Sequence, residues 1–132
     1  MSTVPTIDQD NADGQTLDVF NDIKKTRNTE YINNFWRSLS HDPKLLTETW
    51  SQLKETMRDN GEIPRLMKEL IYIAVSTANN CNYCIHSHTA TARALGMTEQ
   101  MYNELLEIIL LANKTNAMAT ALGVEVDNVY LK

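Results

Sequence analysis

Two cysteines separated by two residues, Cys81 and Cys84, are the only cysteines among the 132 residues of the chain. A thiol reacts as a nucleophile only in its thiolate form. A CxxC pair at a helix start favours thiolate, because free backbone N–H groups and the positive end of the helix dipole lie there. The two-residue spacing also lets both sulfurs join in a small disulfide ring. The pair therefore predicts reversible dithiol–disulfide chemistry.

Two further side chains are candidates for moving the protons that such chemistry requires. His88 follows Cys84 by four residues, which on a helix places its imidazole one turn further along the same face. Glu69 lies in an otherwise apolar stretch, where a buried carboxylate must be paired or protonated and can then shuttle a proton. A solvent-facing position beside Arg65 and Lys68 is the alternative for Glu69.

Zinc binding and inert buried thiols are competing readings of the same residues. Cys81, Cys84 and His88 supply three zinc ligands, and Glu69 or His86 would be a fourth. However, structural zinc sites usually take two ligand pairs from separate segments, and the sequence has neither a second CxxC nor an HxxxH. We therefore expect no metal and no cofactor other than a redox-active disulfide. His86, two residues after Cys84, is expected on another side of the helix, and His41 is expected in a loop.

Two other CxxC classes are excluded by the neighbouring residues. Ile85 follows the second cysteine where a c-type haem site requires histidine. The apolar stretch 70–75, LIYIAV, would suit a strand as well as a helix. A thioredoxin fold, however, needs a proline after the dithiol, and the last proline is Pro64. We therefore interpret residues 70–75 as helix.

Composition narrows the class of protein. The net charge of −5 and the pI of about 5.1 argue against binding to nucleic acid or to anionic lipid. The first residues lack the basic and apolar regions of a signal peptide, and no run of 18 apolar residues occurs. A cytoplasmic protein is the expectation, and in that compartment a lone CxxC is typical of catalysis or metal binding.

The sequence predicts an all-α fold of about six to seven helices, because its apolar residues recur at helical spacing and helix-breaking residues are few. The chain has only 4 glycines and 3 prolines. A single helical domain is predicted over residues 15–124, with flexible tails at 1–14 and 125–132. The predicted helices are 16–26, 30–39, one from Pro43 to Asn60-Gly61, one from Pro64, one from about Cys81 to Gly96, 98–113, and a short one through Met118 and Leu122.

The segment KELIYIAVSTANNCNYCIHSHTATARALGMT, residues 68–98, resembles the alkylhydroperoxidase D-like (AhpD-like) branch of the carboxymuconolactone decarboxylase family. The likeness rests on Glu69 twelve residues before Cys81, on the CxxC itself and on His88. It covers about a quarter of the chain. The resemblance implies an all-α fold that assembles into homo-oligomers, commonly trimers or hexamers, with active sites near subunit contacts.

The same resemblance implies thiol-dependent peroxidase activity toward hydrogen peroxide or organic hydroperoxides. It implies that Cys84 is oxidised by peroxide to sulfenic acid and that Cys81 resolves it as a disulfide. His88 and Glu69 would form the proton relay, and a dithiol, either a small molecule or a protein, would regenerate the enzyme. The decarboxylase members fit less well, because their chemistry does not use a CxxC.

Two points remain open at the level of sequence. The helix-start argument favours Cys81 as the attacking thiol, whereas the spacing to His88 and the resemblance favour Cys84, which is our prediction. Tyr83 also departs from the better-known members, which have histidine between the cysteines, and a phenol is not a base at neutral pH. The alternative function is a small zinc-binding or redox-sensing interaction module without peroxidase turnover.

Overall fold

The computed structural model describes residues 1–131, and all regular structure in this range is helical, which confirms the predicted all-α fold. The six α-helices are α1 Gly14–Arg27, α2 Asn34–Leu39, α3 Pro43–Thr56, α4 Arg65–Ala78, α5 Asn82–Ala94 and α6 Glu99–Leu122. Short 3₁₀ turns cover Gln9–Asn11 and Asn128–Tyr130. Among the described residues, no helix is both long and apolar enough to cross a membrane.

The predicted break between a sixth and a seventh helix is wrong. α6 continues through residues 113–117, where the sequence loses its strong apolar pattern. No glycine or proline lies between Gly96 and Gly123, so nothing interrupts the backbone hydrogen bonds. The helix ends where predicted, at Gly123, whose φ of 60° is the left-handed conformation that favours glycine.

The chain divides into two compact units, and the first is Met1–Arg58. In this unit α3 packs against both α1 and α2 around two indole rings, Trp36 and Trp50, whose centroids lie 5.3 Å apart. Trp50 donates a hydrogen bond of 2.7 Å to Asp22, which also pairs with Lys54. These bonds from Lys54 and Trp50 lower the pKa of Asp22. The buried core comprises Val19, Phe20, Ile23, Ile32, Trp36, Leu46 and Trp50.

The start of α2 is later than predicted. The Asn33 side chain accepts a hydrogen bond from the Trp36 N–H and caps the helix, so residues 30–33 lie outside it. Ile32 is nevertheless fully buried, and its side chain belongs to the core of this unit although it lies outside the helix. Its N–H donates to the side chain of Gln9, and the Ile7 N–H donates to Ser40 Oγ. Part of the predicted tail 1–14 is therefore hydrogen-bonded to this unit.

The second unit begins at Asp59 and contains α4, α5 and α6. α4 is its central helix, because it packs against both α5 and α6. The turn after α5 matches the prediction: Gly96 has a φ of 101°, and Thr98 caps α6 by accepting a hydrogen bond from the Met101 N–H. The buried core comprises Ile73, Ala92, Met97, Leu105 and Ile109. All four predicted site residues belong to this unit.

Candidate active site

The buried face of α4 carries polar residues. Arg65, Glu69, Tyr72 and Ser76 recur at spacings of four, three and four residues, which places them along one side of the helix. Glu69 is only 1% exposed and Ser76 only 5%. Burying these groups costs free energy unless each is hydrogen-bonded or paired, so the face is typical of a functional site more than of a core. The structure therefore rejects the solvent-facing alternative for Glu69.

A tight turn after α4 places Cys81 at the start of α5. Asn80 adopts a φ of 56°, a left-handed conformation that asparagine tolerates, and reverses the chain after α4. The Cys81 N–H then donates to the Ser76 carbonyl oxygen at 2.9 Å. Cys81 occupies the N-cap position of α5, and Cys84 lies in the first helical turn. The sequence prediction that the helix opens around the first cysteine is confirmed.

The two sulfur atoms are already adjacent. They lie 2.7 Å apart, share a hydrogen bond and belong to half-buried side chains. The hydrogen bond between the two side chains, together with a hydrogen bond to the Cys84 backbone, lowers the pKa of Cys81. Burial, followed by the hydrogen bond to Cys81 and its charge, raises the pKa of Cys84 to about 11. Of the two thiols, Cys81 is therefore the more acidic and Cys84 the one that keeps its proton.

This asymmetry predicts which cysteine a small electrophile modifies. With limiting iodoacetamide at pH 7.5, we expect the reduced protein to be alkylated at Cys81 well before Cys84. The rate should fall as pH falls through the lowered pKa of Cys81, with a midpoint below that of an ordinary thiol. Peptide mass spectrometry of samples quenched across pH 5–9 measures both quantities. Equal labelling of the two cysteines, or preferential labelling of Cys84, would contradict the assignment.

The buried carboxylate of Glu69 contacts both His88 and Arg65. Glu69 Oε2 lies 2.5 Å from His88 Nδ1, and Arg65 Nη1 donates to Glu69 Oε1 at 2.5 Å. The Arg65 guanidinium compensates the carboxylate charge and fixes its orientation, while its Nε lies 4.0 Å from Asp59. Because a carboxylate accepts the Nδ1 proton, Nε2 is the imidazole nitrogen left to exchange a proton with a reacting group.

The site contains two residues that the sequence analysis did not identify as functional. Tyr72 stacks on His88, with ring centroids 3.7 Å apart and an interplanar angle of 21°. Arg65 was noted only as a surface neighbour of Glu69. The available signal was their helical spacing, since Arg65 precedes Glu69 by four residues and Tyr72 follows it by three.

The remaining histidines lie outside this cluster. His86 is exposed on α5, as expected from its spacing, and His41 is exposed with Nδ1 at 2.7 Å from the Ser38 carbonyl oxygen. Within residues 1–131, no group of three or more His, Cys, Asp or Glu side chains is arranged to hold a metal ion. The structure thus joins Cys81 to Cys84 and Glu69 to His88, with His88 one helical turn beyond Cys84 on α5.

Comparison with known proteins extends the likeness beyond the dithiol segment. Residues 44–125 match the Carboxymuconolactone decarboxylase family, which is more than half of the chain. The chain belongs to this family. Its structure also superposes on the crystal structure of the alkylhydroperoxidase AhpD core from Rhodospirillum rubrum with a TM-score of 0.96 and 47% sequence identity. That match covers 100% of this chain and 98% of the other, and it places the chain in the AhpD-like branch of the carboxymuconolactone decarboxylase family.

Two relatives named as alkyl hydroperoxide reductases match the chain over part of their length. The alkyl hydroperoxide reductase Rv2159c of Mycobacterium tuberculosis is 39% identical over 46% of this chain, which corresponds to 17% of Rv2159c. The alkyl hydroperoxide reductase AhpD of Mycobacteroides abscessus is 42% identical over 52% of this chain and 39% of its own length. The chain therefore spans well under half of these two relatives, whose names support a peroxidase-like branch of the family.

Proposed function

We propose that the protein is a thiol-dependent peroxidase that reduces hydrogen peroxide or organic hydroperoxides through Cys81 and Cys84. The observation that carries the proposal is the buried Glu69–His88 pair on the helices that flank the dithiol. A dithiol alone serves many redox roles. A dithiol with a carboxylate-oriented imidazole one turn away also has the means to manage the protons of peroxide reduction.

The proposed cycle has two steps. The Cys84 sulfur attacks the terminal oxygen of ROOH, the O–O bond breaks, and the products are Cys84 sulfenic acid and the alcohol ROH. The Cys81 thiolate then attacks the Cys84 sulfur and displaces the hydroxide, which leaves as water after taking up a proton. In total, one thiolate, one thiol, one proton and one ROOH give a disulfide, ROH and one water. Sulfur carries all the electrons, so the cycle needs neither metal nor haem.

The electrostatics of the pair give the relay a specific task in this cycle. A thiol with a pKa of about 11 is almost fully protonated at neutral pH, so Cys84 attacks only if its proton is removed. In the proposed cycle His88 Nε2 takes that proton and returns it to the departing alkoxide, while Glu69 holds the imidazole and stabilises its charged form. Cys81 depends less on a base for the second step, because its pKa is the lower of the two.

A dithiol reductant, either a small molecule or a dithiol-bearing protein, would regenerate the enzyme by thiol–disulfide exchange. Tyr83, which lies 40% exposed between the two cysteines, is positioned to influence which reductant gains access. A cytoplasmic location, predicted from the sequence, fits this cycle because that compartment supplies thiol reductants. No nucleic-acid or membrane partner is part of the proposal.

The direct test of the function is peroxide consumption by the purified protein with dithiothreitol as reductant. Hydrogen peroxide and cumene hydroperoxide should both be consumed with multiple turnovers, at rates well above the reductant alone. A protein whose dithiol is fully reduced and yet consumes neither peroxide would overturn the proposal and favour the redox-sensing alternative. One equivalent of zinc that is retained through purification, and whose removal unfolds the protein, would favour the metal-binding alternative.

We further propose that the protein is a homo-oligomer, a trimer or a hexamer. Every residue from Leu110 to Leu122 of α6 is exposed, although the segment is largely apolar. The outer face of α4 is also apolar, opposite the polar site face. The exposed apolar residues on these two helices include Met67, Ile71 and Val75 on α4, and Ile108, Leu110, Leu111, Met118 and Leu122 on α6. Exposed apolar surface of this extent is typical of subunit contacts.

Negative charge introduced among the exposed apolar residues of α6 should dissociate the oligomer. Wild-type protein is expected to sediment as a multiple of its 15.0 kDa chain mass, and the double variant Leu111→Glu/Leu122→Glu as a monomer, because buried unpaired carboxylates oppose association. Asn113→Glu, on the opposite side of the same helix, is the matched control and should leave the mass unchanged. Analytical ultracentrifugation at micromolar concentration measures all three. A monomeric wild type would contradict the proposal.

A further inference from the structure

We infer that Tyr72 is a positioning residue of the peroxidase site: its ring fixes the plane of the His88 imidazole so that Nε2 is presented to the dithiol. The inference rests on the proposed function of the Glu69–His88 pair. It goes beyond that function in assigning a role to a residue outside the dithiol and its relay. Tyr72 acts through His88 and does not itself need to touch the peroxide.

Two independent contacts restrain the His88 ring. Glu69 holds one edge of the ring through Nδ1, and Tyr72 covers one face at a centroid separation of 3.7 Å. A single hydrogen bond leaves an imidazole free to tilt about that bond, because the ring torsion of histidine is broad. A stacked aromatic ring removes this freedom at small entropic cost. Edge and face together define one orientation, and therefore one direction for Nε2.

Tyr72 also lies within the electric field of the reacting groups. Burial raises the pKa of the Tyr72 hydroxyl, and the charges on Cys84, Glu69 and Cys81 raise it further. The phenol therefore stays protonated at neutral pH, which excludes it as a base in the cycle. The residue is 37% exposed, and its ring, stacked on the imidazole, shields one face of His88 from solvent. The helix spacing explains the placement, since Tyr72 lies three residues after Glu69 on α4.

Paired substitutions separate the ring from the hydroxyl. Tyr72→Phe keeps the stacked ring, whereas Tyr72→Leu removes it, and Tyr31→Leu controls for loss of an exposed tyrosine in the first unit. Two readouts are measured on the full chain: the rate at which hydrogen peroxide oxidises the reduced dithiol, and the NMR shifts of the His88 ring protons. Thermal melts confirm that each variant is folded.

Ring stacking predicts a distinct pattern in these variants. Tyr72→Phe and Tyr31→Leu should stay within about twofold of wild type in rate, with the upfield His88 ring shifts retained in both. Tyr72→Leu should lose those shifts and slow by about 10- to 100-fold, the usual effect of removing a group that orients a reactive imidazole. The inference would be overturned if Tyr72→Phe oxidised as slowly as is expected for Tyr72→Leu, or if Tyr72→Leu oxidised at the wild-type rate. If wild type itself does not reduce peroxide, the peroxidase proposal fails; unchanged His88 shifts in Tyr72→Leu would separately refute the stacking.

Discussion

Replacing Cys84 with serine is expected to lower the rate of peroxide turnover by roughly 10³-fold or more. Replacing Cys81 is expected to lower it by less, because dithiothreitol in the assay reduces a sulfenic acid on Cys84 directly. The hydroxyl of serine is not ionised at neutral pH, so it neither attacks the peroxide nor displaces water from a sulfenic acid. Serine is close to cysteine in size, and both side chains are half-buried, so the fold should survive. The measurement is the initial rate of hydrogen peroxide consumption with dithiothreitol as reductant.

The two serine variants should fail at different steps. Cys81→Ser retains the proposed attacking thiol and should accumulate a sulfenic acid on Cys84, which dimedone traps. Cys84→Ser should give no rapid product, because the remaining thiol of Cys81 lacks the histidine one turn away and has lost the Cys84 thiol that lowers its pKa. Circular dichroism provides the control for folding. Turnover at the wild-type rate in either variant would show that the disulfide cycle is not the route of peroxide reduction.

Glu69→Gln is expected to slow oxidation of the dithiol by about 100-fold, within the range for loss of general acid–base catalysis. Glutamine has nearly the same shape but no charge, so it cannot stabilise the protonated imidazole of His88 or compensate the Arg65 guanidinium. The side chain is 1% exposed, so water does not substitute for the lost interactions. We also expect a loss of about 1–3 kcal/mol in the free energy of unfolding.

Glu99→Gln is the matched control for this substitution. Glu99 also pairs with an arginine, Arg93 at 3.1 Å, but its side chain is 72% exposed at the start of α6. Exposed ion pairs contribute little, so both the rate and the stability should stay close to those of wild type. Stopped-flow oxidation by hydrogen peroxide and urea denaturation measure the two quantities. If Glu69→Gln behaves like Glu99→Gln, the carboxylate is not part of the proton path.

Local signals predicted several helix ends correctly, but the predicted end of α3 at Asn60-Gly61 is wrong, because the helix already ends at Thr56. Asp42 caps α3 by accepting hydrogen bonds from two backbone N–H groups, Thr98 caps α6, and Gly96 and Gly123 follow helix ends in left-handed conformations. These signals act within a few residues and are therefore readable from sequence. The late start of α2 was not predicted, because the apolar Ile32 fits the spacing of a helix face. In the structure Ile32 lies before the helix and packs in the core. Tertiary packing decides that distinction.

The site was predictable in its residue types but not in its geometry. Helical spacing placed His88 one turn beyond Cys84, yet it left open whether Glu69 faces solvent. That question is settled by packing against α5, which brings Glu69 to His88 across 19 residues of sequence. Tyr72 was not predicted as a site residue, because an aromatic residue on an apolar helix usually belongs to the core. The lower pKa of Cys81 relative to Cys84 could not be predicted from sequence, because it depends on the distance between the two sulfur atoms.

A single turnover with one equivalent of hydrogen peroxide tests whether Cys81 and Cys84 reduce peroxide by forming a disulfide. Free thiols are counted and the intact mass is recorded before and seconds after mixing, for wild type and Cys84→Ser. Wild type is expected to lose both thiols and about two mass units, as a disulfide forms between Cys81 and Cys84. Cys84→Ser is expected to keep its remaining thiol over the same interval. Thiols that persist in wild type through excess peroxide would rule out this peroxidase cycle.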